Sequence, residues 1–267
     1  MDIEPFVLIS FLFGAVIGSF LNVVVFRYHT GMTFFGRSLC LYCGKELRFY
    51  EMIPVLSFLF LRGRCASCQS RLSWQYPLVE LSTAIFFAIV YAYAAGLYGG
   101  VPLALFTLYL FAAAALLVII AAYDLRHMVI PDGMVYLFAL LALARPFFFP
   151  IGGETLSSAL LAGPALALPF ALFYFLSGGR WMGLGDAKLA LGLGWLLGAA
   201  GSVMAFLFAF WTGAAVAAVL LFLRGRRFTM KSEIPFAPFL VLGTGIALLV
   251  PPDFLFPSLS LFFLGLW

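Results

Sequence analysis

Residues 101–124 read VPLALFTLYLFAAAALLVIIAAYD, an almost unbroken apolar run closed by Tyr123 and Asp124. About 20 apolar residues in a helix match the roughly 30 Å hydrocarbon core of a bilayer. The stretch therefore predicts a membrane span that ends on a carboxylate. An ionisable group at the edge of hydrocarbon costs a few kcal/mol on insertion scales, and by default it marks function. A second stretch repeats the arrangement in reverse, with Gly183-Leu184-Gly185-Asp186 standing directly before the apolar run 187–199.

Composition extends this reading to the whole chain. Of its residues 65% are hydrophobic and 10% charged, and the mean hydropathy is +1.13. These values exclude a soluble domain and point to an all-α polytopic membrane protein. Spans are expected near 5–27, 77–97, 101–123, 132–149, 156–177, 187–199, 202–223 and 236–251, eight in all. The sixth is short and contains Gly192, Gly194 and Gly198, which predicts a half-helix or a tightly packed one, and the apolar tail 254–267 is too short to count. Met1-Asp2-Ile3-Glu4 carries no basic segment and the first apolar run ends without a small-residue cleavage site, so the first span is expected to stay.

The basic residues orient these spans. Of 15 Lys and Arg, Arg145 alone falls on one set of loops and all the others fall on the alternate set. By the positive-inside rule the long loop 28–76 is cytoplasmic and both termini are outside. Two spans lie between Asp124 and Asp186, so both carboxylates are expected at the cytoplasmic boundary, where they can meet.

Asp186 also reads as a helix N-cap, because Asp after Gly satisfies orphan N–H groups at the positive end of the macrodipole. Asp124 resists that account, since it closes a helix at the negative end. Asp132, after Pro131, is the better candidate for a plain cap of the fourth span. Two carboxylates in a low dielectric share one proton, so that one activates water while the other polarises a peptide carbonyl. That is the chemistry of an aspartic protease. Gly183 and Gly185 would open backbone conformations closed to other residues and admit a substrate strand. Lys188 either favours ionisation of Asp186 or anchors the helix end by snorkelling to the interface.

The loop carries its own signal. Cys40-x-x-Cys43 and Cys65-x-x-Cys68 use all 4 cysteines of the chain in a pattern of the four-cysteine zinc type. A reducing compartment disfavours disulfides, and a site saturated by four thiolates folds a loop rather than catalysing. The apolar stretch 52–61 between the knuckles is too short to span, and it either packs under them or lies on the membrane surface.

Taken together these residues resemble the bacterial type IV prepilin peptidases. The likeness runs through Gly18-Ser19-Phe20-Leu21-Asn22-Val23-Val24 with Arg27, the paired knuckles, 53–57 with 61–65, and 76–81. It continues through Asp124-Leu125-Arg126, Ile130-Pro131-Asp132 and Gly183-Leu184-Gly185-Asp186-Ala187-Lys188. The resemblance implies cleavage of the short basic leader of prepilins and type II secretion pseudopilins at the cytoplasmic face of a bacterial inner membrane, with Asp124 and Asp186 as the catalytic pair. It also implies N-methylation of the new terminus with S-adenosylmethionine. No glycine-rich nucleotide fingerprint follows a strand, so that cofactor is carried by the resemblance alone. The expected division is 1–98, two spans and the zinc loop, for methyl transfer, and 99–267, six spans, for the peptidase core. Glu80, just inside the second span, either serves that activity or pairs with Arg71 or Asn22. Substrate helices and membrane lipid are the expected partners, and no nucleic acid is expected. The alternatives are another GxGD intramembrane protease, which the zinc knuckles oppose, and a proton-coupled transporter, which would show internal repeats.

Overall fold

The computed structural model describes residues 4–30, 33, 36–40, 42–151, 154–180, 182–224 and 234–250. Among them the chain is helical, with two isolated β-bridges as its only extended pairing. The helices are α1 (Glu4–Arg27), α2 (Leu56–Phe60), α3 (Gln75–Leu97), α4 (Gly100–His127), α5 (Asp132–Phe148), α6 (Leu156–Ser177), α7 (Leu184–Arg224) and α8 (Ala237–Leu249). Five of them, α1, α3, α4, α6 and α7, are long and apolar enough to cross a membrane. At 17 and 13 residues, α5 and α8 are shorter. The expected sixth and seventh spans form the 41-residue segment α7 as two helices that meet at a kink at Gly198, whose φ of 71° and ψ of −179° no helix accommodates. Glycine takes that positive φ without steric cost. The tail 254–267, with Arg226, Arg227 and Lys231, lies outside the described residues.

The chain divides into two compact units, Met1–Ala122 and Tyr123–Trp267, with the boundary inside α4. In the first, α1 packs on α3 through Gly14 and Gly18. A Cβ at Gly14 would lie 2.8 Å from the Ala84 Cα, and one at Gly18 2.7 Å from the Glu80 Cα. This is the small-xxx-small approach used in membranes, where helices gain from close packing rather than from escaping water. Phe87 stacks on Phe111 of α4 at 4.2 Å between centroids, with Phe13 against both.

In the second unit the first half of α7 is the axis. A Cβ at Gly192 would meet the Phe138 ring of α5 at 2.6 Å, and Gly194 is pressed against the backbone of Ala162 and Gly163 in α6. Trp195 lies over Gly163 and donates its indole N–H to the Leu160 carbonyl at 2.9 Å. The glycines of the short sixth span thus serve both expectations, a broken helix and tight packing. Beyond the break, α8 seats Gly243 against Ala205 and Ala209.

Arg145, read from sequence as a loop charge on the minority side, is not in a loop. It lies in the last turn of α5 with no exposed surface and pairs with Glu154. Its Nε donates to the Trp195 carbonyl at 2.7 Å, three residues before the break in α7. A carboxylate and an orphan helix-end carbonyl receive two of the buried guanidinium's nitrogens and offset part of the burial cost, while Nη2 has no partner among the described residues.

Candidate active site and cysteine cluster

Asp124 lies in the last turn of α4, 5% exposed. The chain turns sharply behind it: the Met128 N–H returns to the Asp124 carbonyl at 2.8 Å, with Met128 at φ 55°. Its carboxylate is met by the N-terminus of α8, where the Ala237 N–H donates to Oδ2 at 3.2 Å. This answers the objection that Asp124 faces the negative end of its own helix, because a second helix presents its positive end. Sequence reasoning missed that donor. Its signal was the helix-start pattern Pro235-Phe236-Ala237-Pro238, with proline in the first turn of α8.

Asp186 lies in the first turn of α7, inside the helix rather than at its cap, and is 9% exposed. Its Oδ1 has no hydrogen-bond partner among the described residues. The carboxyl is close enough to Asp124 for that charge to act on it. The structure thus brings together two carboxyls that are 62 positions apart in the chain.

The glycines before Asp186 act differently from the sequence expectation, and neither has positive φ. Gly185 provides room, since a Cβ there would come within 2.8 Å of the Ile130 Cβ in the α4–α5 connection. Gly183 is unconstrained, its nearest such contact being 3.9 Å. Lys188 is bonded outside the pair. Its ammonium donates to Asp132 Oδ1 at 2.7 Å and lies 5.0 Å from the Tyr136 ring centre, tying α7 to α5. Asp132 opens α5 without capping it, because Pro131 holds the cap position and no side-chain cap bond forms.

In the first unit the four cysteines form one cluster, with every Sγ within 4.8 Å of the others and Cys40 3.9 Å from Cys68. None is in a disulfide. The two knuckles are built alike, offset by 25 positions. Cys40 N–H bonds the Lys45 carbonyl and Cys65 N–H the Ser70 carbonyl, each at 2.9 Å, and the bridges Leu39–Glu46 and Arg64–Arg71 close them. Tetrahedral zinc with Zn–S near 2.3 Å sets sulfurs about 3.8 Å apart, so the spacing and donor set fit that ion. The Cys43 N–H, aimed at Cys40, pulls that thiol down to about 6. Ser70, through its hydroxyl and N–H, lowers the Cys68 thiol. Thiolates are the form that ligates metal.

Between the knuckles, Phe58 of α2 packs on Trp74 with centroids 4.9 Å apart, while Leu59 and Phe60 remain exposed. The stretch 52–61 therefore packs inward on one face only. Glu80 pairs with neither Arg71 nor Asn22. Its Oε2 accepts the Val55 N–H at 2.7 Å, and the Ser19 hydroxyl also reaches it. Asn22 donates to the Gly18 and Tyr76 carbonyls at 3.3 and 3.1 Å.

Fold and site together define a helical, multi-span membrane protein with a buried pair of carboxyls. Residues 12–94 match the Bacterial Peptidase A24 N-terminal domain, and residues 110–218 match the Type IV leader peptidase family. The chain is 35% identical over 242 residues to the prepilin leader peptidase/N-methyltransferase of Bacillus subtilis (strain 168), covering 90% of this chain and 93% of that one. It is 32% identical to the protein of the same name from Dickeya chrysanthemi, over 90% of each chain. For that of Neisseria gonorrhoeae the identity is 30%, over 85% of this chain and 86% of the other. No solved structure matches. The chain belongs to the type IV leader peptidase family.

Proposed function

We propose that this chain is a membrane aspartic endopeptidase that removes the leader from type IV prepilins and type II secretion pseudopilins at the cytoplasmic membrane face, and then N-methylates the new terminus. The observation that carries the peptidase reading is the juxtaposition of Asp124, held by the Ala237 N–H, with Asp186, whose Oδ1 is free of protein partners among the described residues. A shared proton lets one carboxyl draw a proton from water while the other donates to the scissile carbonyl. The acid and base roles belong to the pair rather than to either member. Substrate, itself a membrane helix, docks laterally and must unwind at the cut, which glycine at the cleavage point eases.

The remaining assignments follow from this reading. Cys40, Cys43, Cys65 and Cys68 hold a structural zinc that folds loop 28–76, and S-adenosylmethionine supplies the methyl group. Residues 1–98 form the methyl-transfer region and 99–267 the peptidase core, with both termini periplasmic. Asp124→Asn and Asp186→Asn should each lower leader cleavage of a prepilin in detergent by at least about 10²-fold, the low end for a positioned acid or base. Each variant should still elute as the native species. Cleavage retained by both would end the proposal.

A further inference from the structure

The first unit holds a buried polar cluster apart from the Asp124 and Asp186 carboxyls in the sequence. Glu80 is 7% exposed and Asn22 1% exposed; both border Gly18, where a Cβ would meet the Glu80 Cα of α3 and whose carbonyl accepts from the Asn22 amide. Both neighbours of the Asn22 amide nitrogen are carbonyls, which fixes the orientation of the amide. Its Oδ1 must then face away from them, and it has no donor among the described residues. No cationic side chain among the described residues pairs with Glu80. Glu80 accepts from the Val55 N–H and the Ser19 hydroxyl, yet among the described residues no cation balances its charge and Asn22 Oδ1 has no donor, so acceptors still exceed donors in this buried site. The lone backbone donor to Glu80, the Val55 N–H, belongs to a β-branched residue held at φ 60°, a conformation such residues rarely adopt.

We propose that Glu80 and Asn22 form a binding site for an α-ammonium group, which displaces the Val55 N–H from Glu80 and supplies the donor that Asn22 Oδ1 lacks. A primary ammonium carries three donors and one positive charge, matching the surplus of acceptors. The inference rests on the methylation half of the proposed function, which brings two such groups to the enzyme: the freed terminus of the cleaved substrate, and the amino-acid end of the methyl donor.

The test measures affinity of the full-length protein in detergent for two ligands, each with a free or an acetylated amine. One is a peptide with the mature amino terminus of a processed substrate, and the other is S-adenosylhomocysteine. Wild type should bind the free-amine form of at least one about 10-fold more tightly, the scale of a charged hydrogen bond, and the ligand that discriminates identifies the source. Glu80→Gln keeps a neutral acceptor for Val55 but loses the charge, so discrimination should fall below about 3-fold while amide exchange at Val55 stays slow. Asn22→Leu should weaken it independently if the first variant misfolds. Absence of discrimination in wild type, or its survival in the variants, overturns the site and leaves Glu80 a loop latch. An unmethylated terminus on substrate cut by wild type would instead overturn the methylation half of the proposed function. The binding arm still reads the pocket in that case.

Discussion

Gly183 and Gly185 stand two positions apart in one motif but meet different constraints. Only the second is pressed by another part of the chain, with Ile130 lying where its Cβ would go. Overpacking a tight site costs about 1–3 kcal/mol, and here the displaced partner is the connection that follows Asp124. Gly185→Ala should therefore lower stability in a urea series by that amount and shift the Asp124–Asp186 geometry enough to slow leader cleavage by at least about tenfold. Gly183→Ala, in open space and without positive φ, should unfold within about 0.5 kcal/mol of wild type. Equal damage from the two substitutions would show that Gly183 serves a bound substrate strand rather than the packing of the free protein. The same scale explains Lys188: its Asp132 partner occupies it, so its charge steadies α5 against α7 rather than acting on the carboxyl pair.

The half-helix that begins at Leu184 carries Asp186 in its first turn and ends at Gly198, roughly 18 Å away at 1.5 Å per residue. Its far end is held by Arg145, which takes the Trp195 carbonyl while pairing with Glu154. Removing one member of a fully buried ion pair costs about 3–5 kcal/mol, an upper bound here because Glu154 keeps 18% of its side-chain surface exposed. Arg145→Met should lose stability in denaturant up to that bound. The double variant Arg145→Met/Glu154→Gln should lose clearly less than the sum of the single losses, whereas simple additivity would mean the two groups are not coupled. Little of this was legible in the sequence, although the elements themselves were. Apolar runs of span length located the helices, and the cluster Gly192, Gly194 and Gly198 announced the break. Run length and glycine spacing are properties of one segment. The partners of Lys188 and Asp124, and the Trp195 carbonyl that receives Arg145, are not, because each of these contacts joins helices distant in the chain, and nothing local to Arg145 distinguishes its ion pair from a loop charge. Span counting supplies long-range information of another kind, an expected side of the membrane for each helix end, and it is this that led the sequence reading to pair Asp124 with Asp186.

At the scale of the whole molecule, that same counting can be tested with the chain's own cysteines. All 4 lie in the loop between α1 and α3, so their accessibility reports which side of the membrane the loop occupies. Along the chain, α3 and α4 separate this loop from Asp124, one expected crossing in each direction, so the face that labels the cysteines is also the face expected for the carboxyl pair. Arg145 is no longer a loop charge to be counted, since it lies inside α5 and pairs with Glu154. A membrane-impermeant maleimide applied to spheroplasts should label none of the four thiols. Inside-out vesicles should label slowly until a strong chelator is added and rapidly afterwards, because thiolates bound to zinc are shielded and metal release frees them. About one zinc per chain should appear in a colorimetric assay as the cysteines react, and protease sensitivity of 28–76 should rise at the same step, since this small loop has little core beyond Phe58 and Trp74 to hold it. Labelling from the outer face would reverse the orientation and with it the cytoplasmic site of cleavage, whereas fast labelling of inside-out vesicles without chelator would remove the metal and leave the orientation standing.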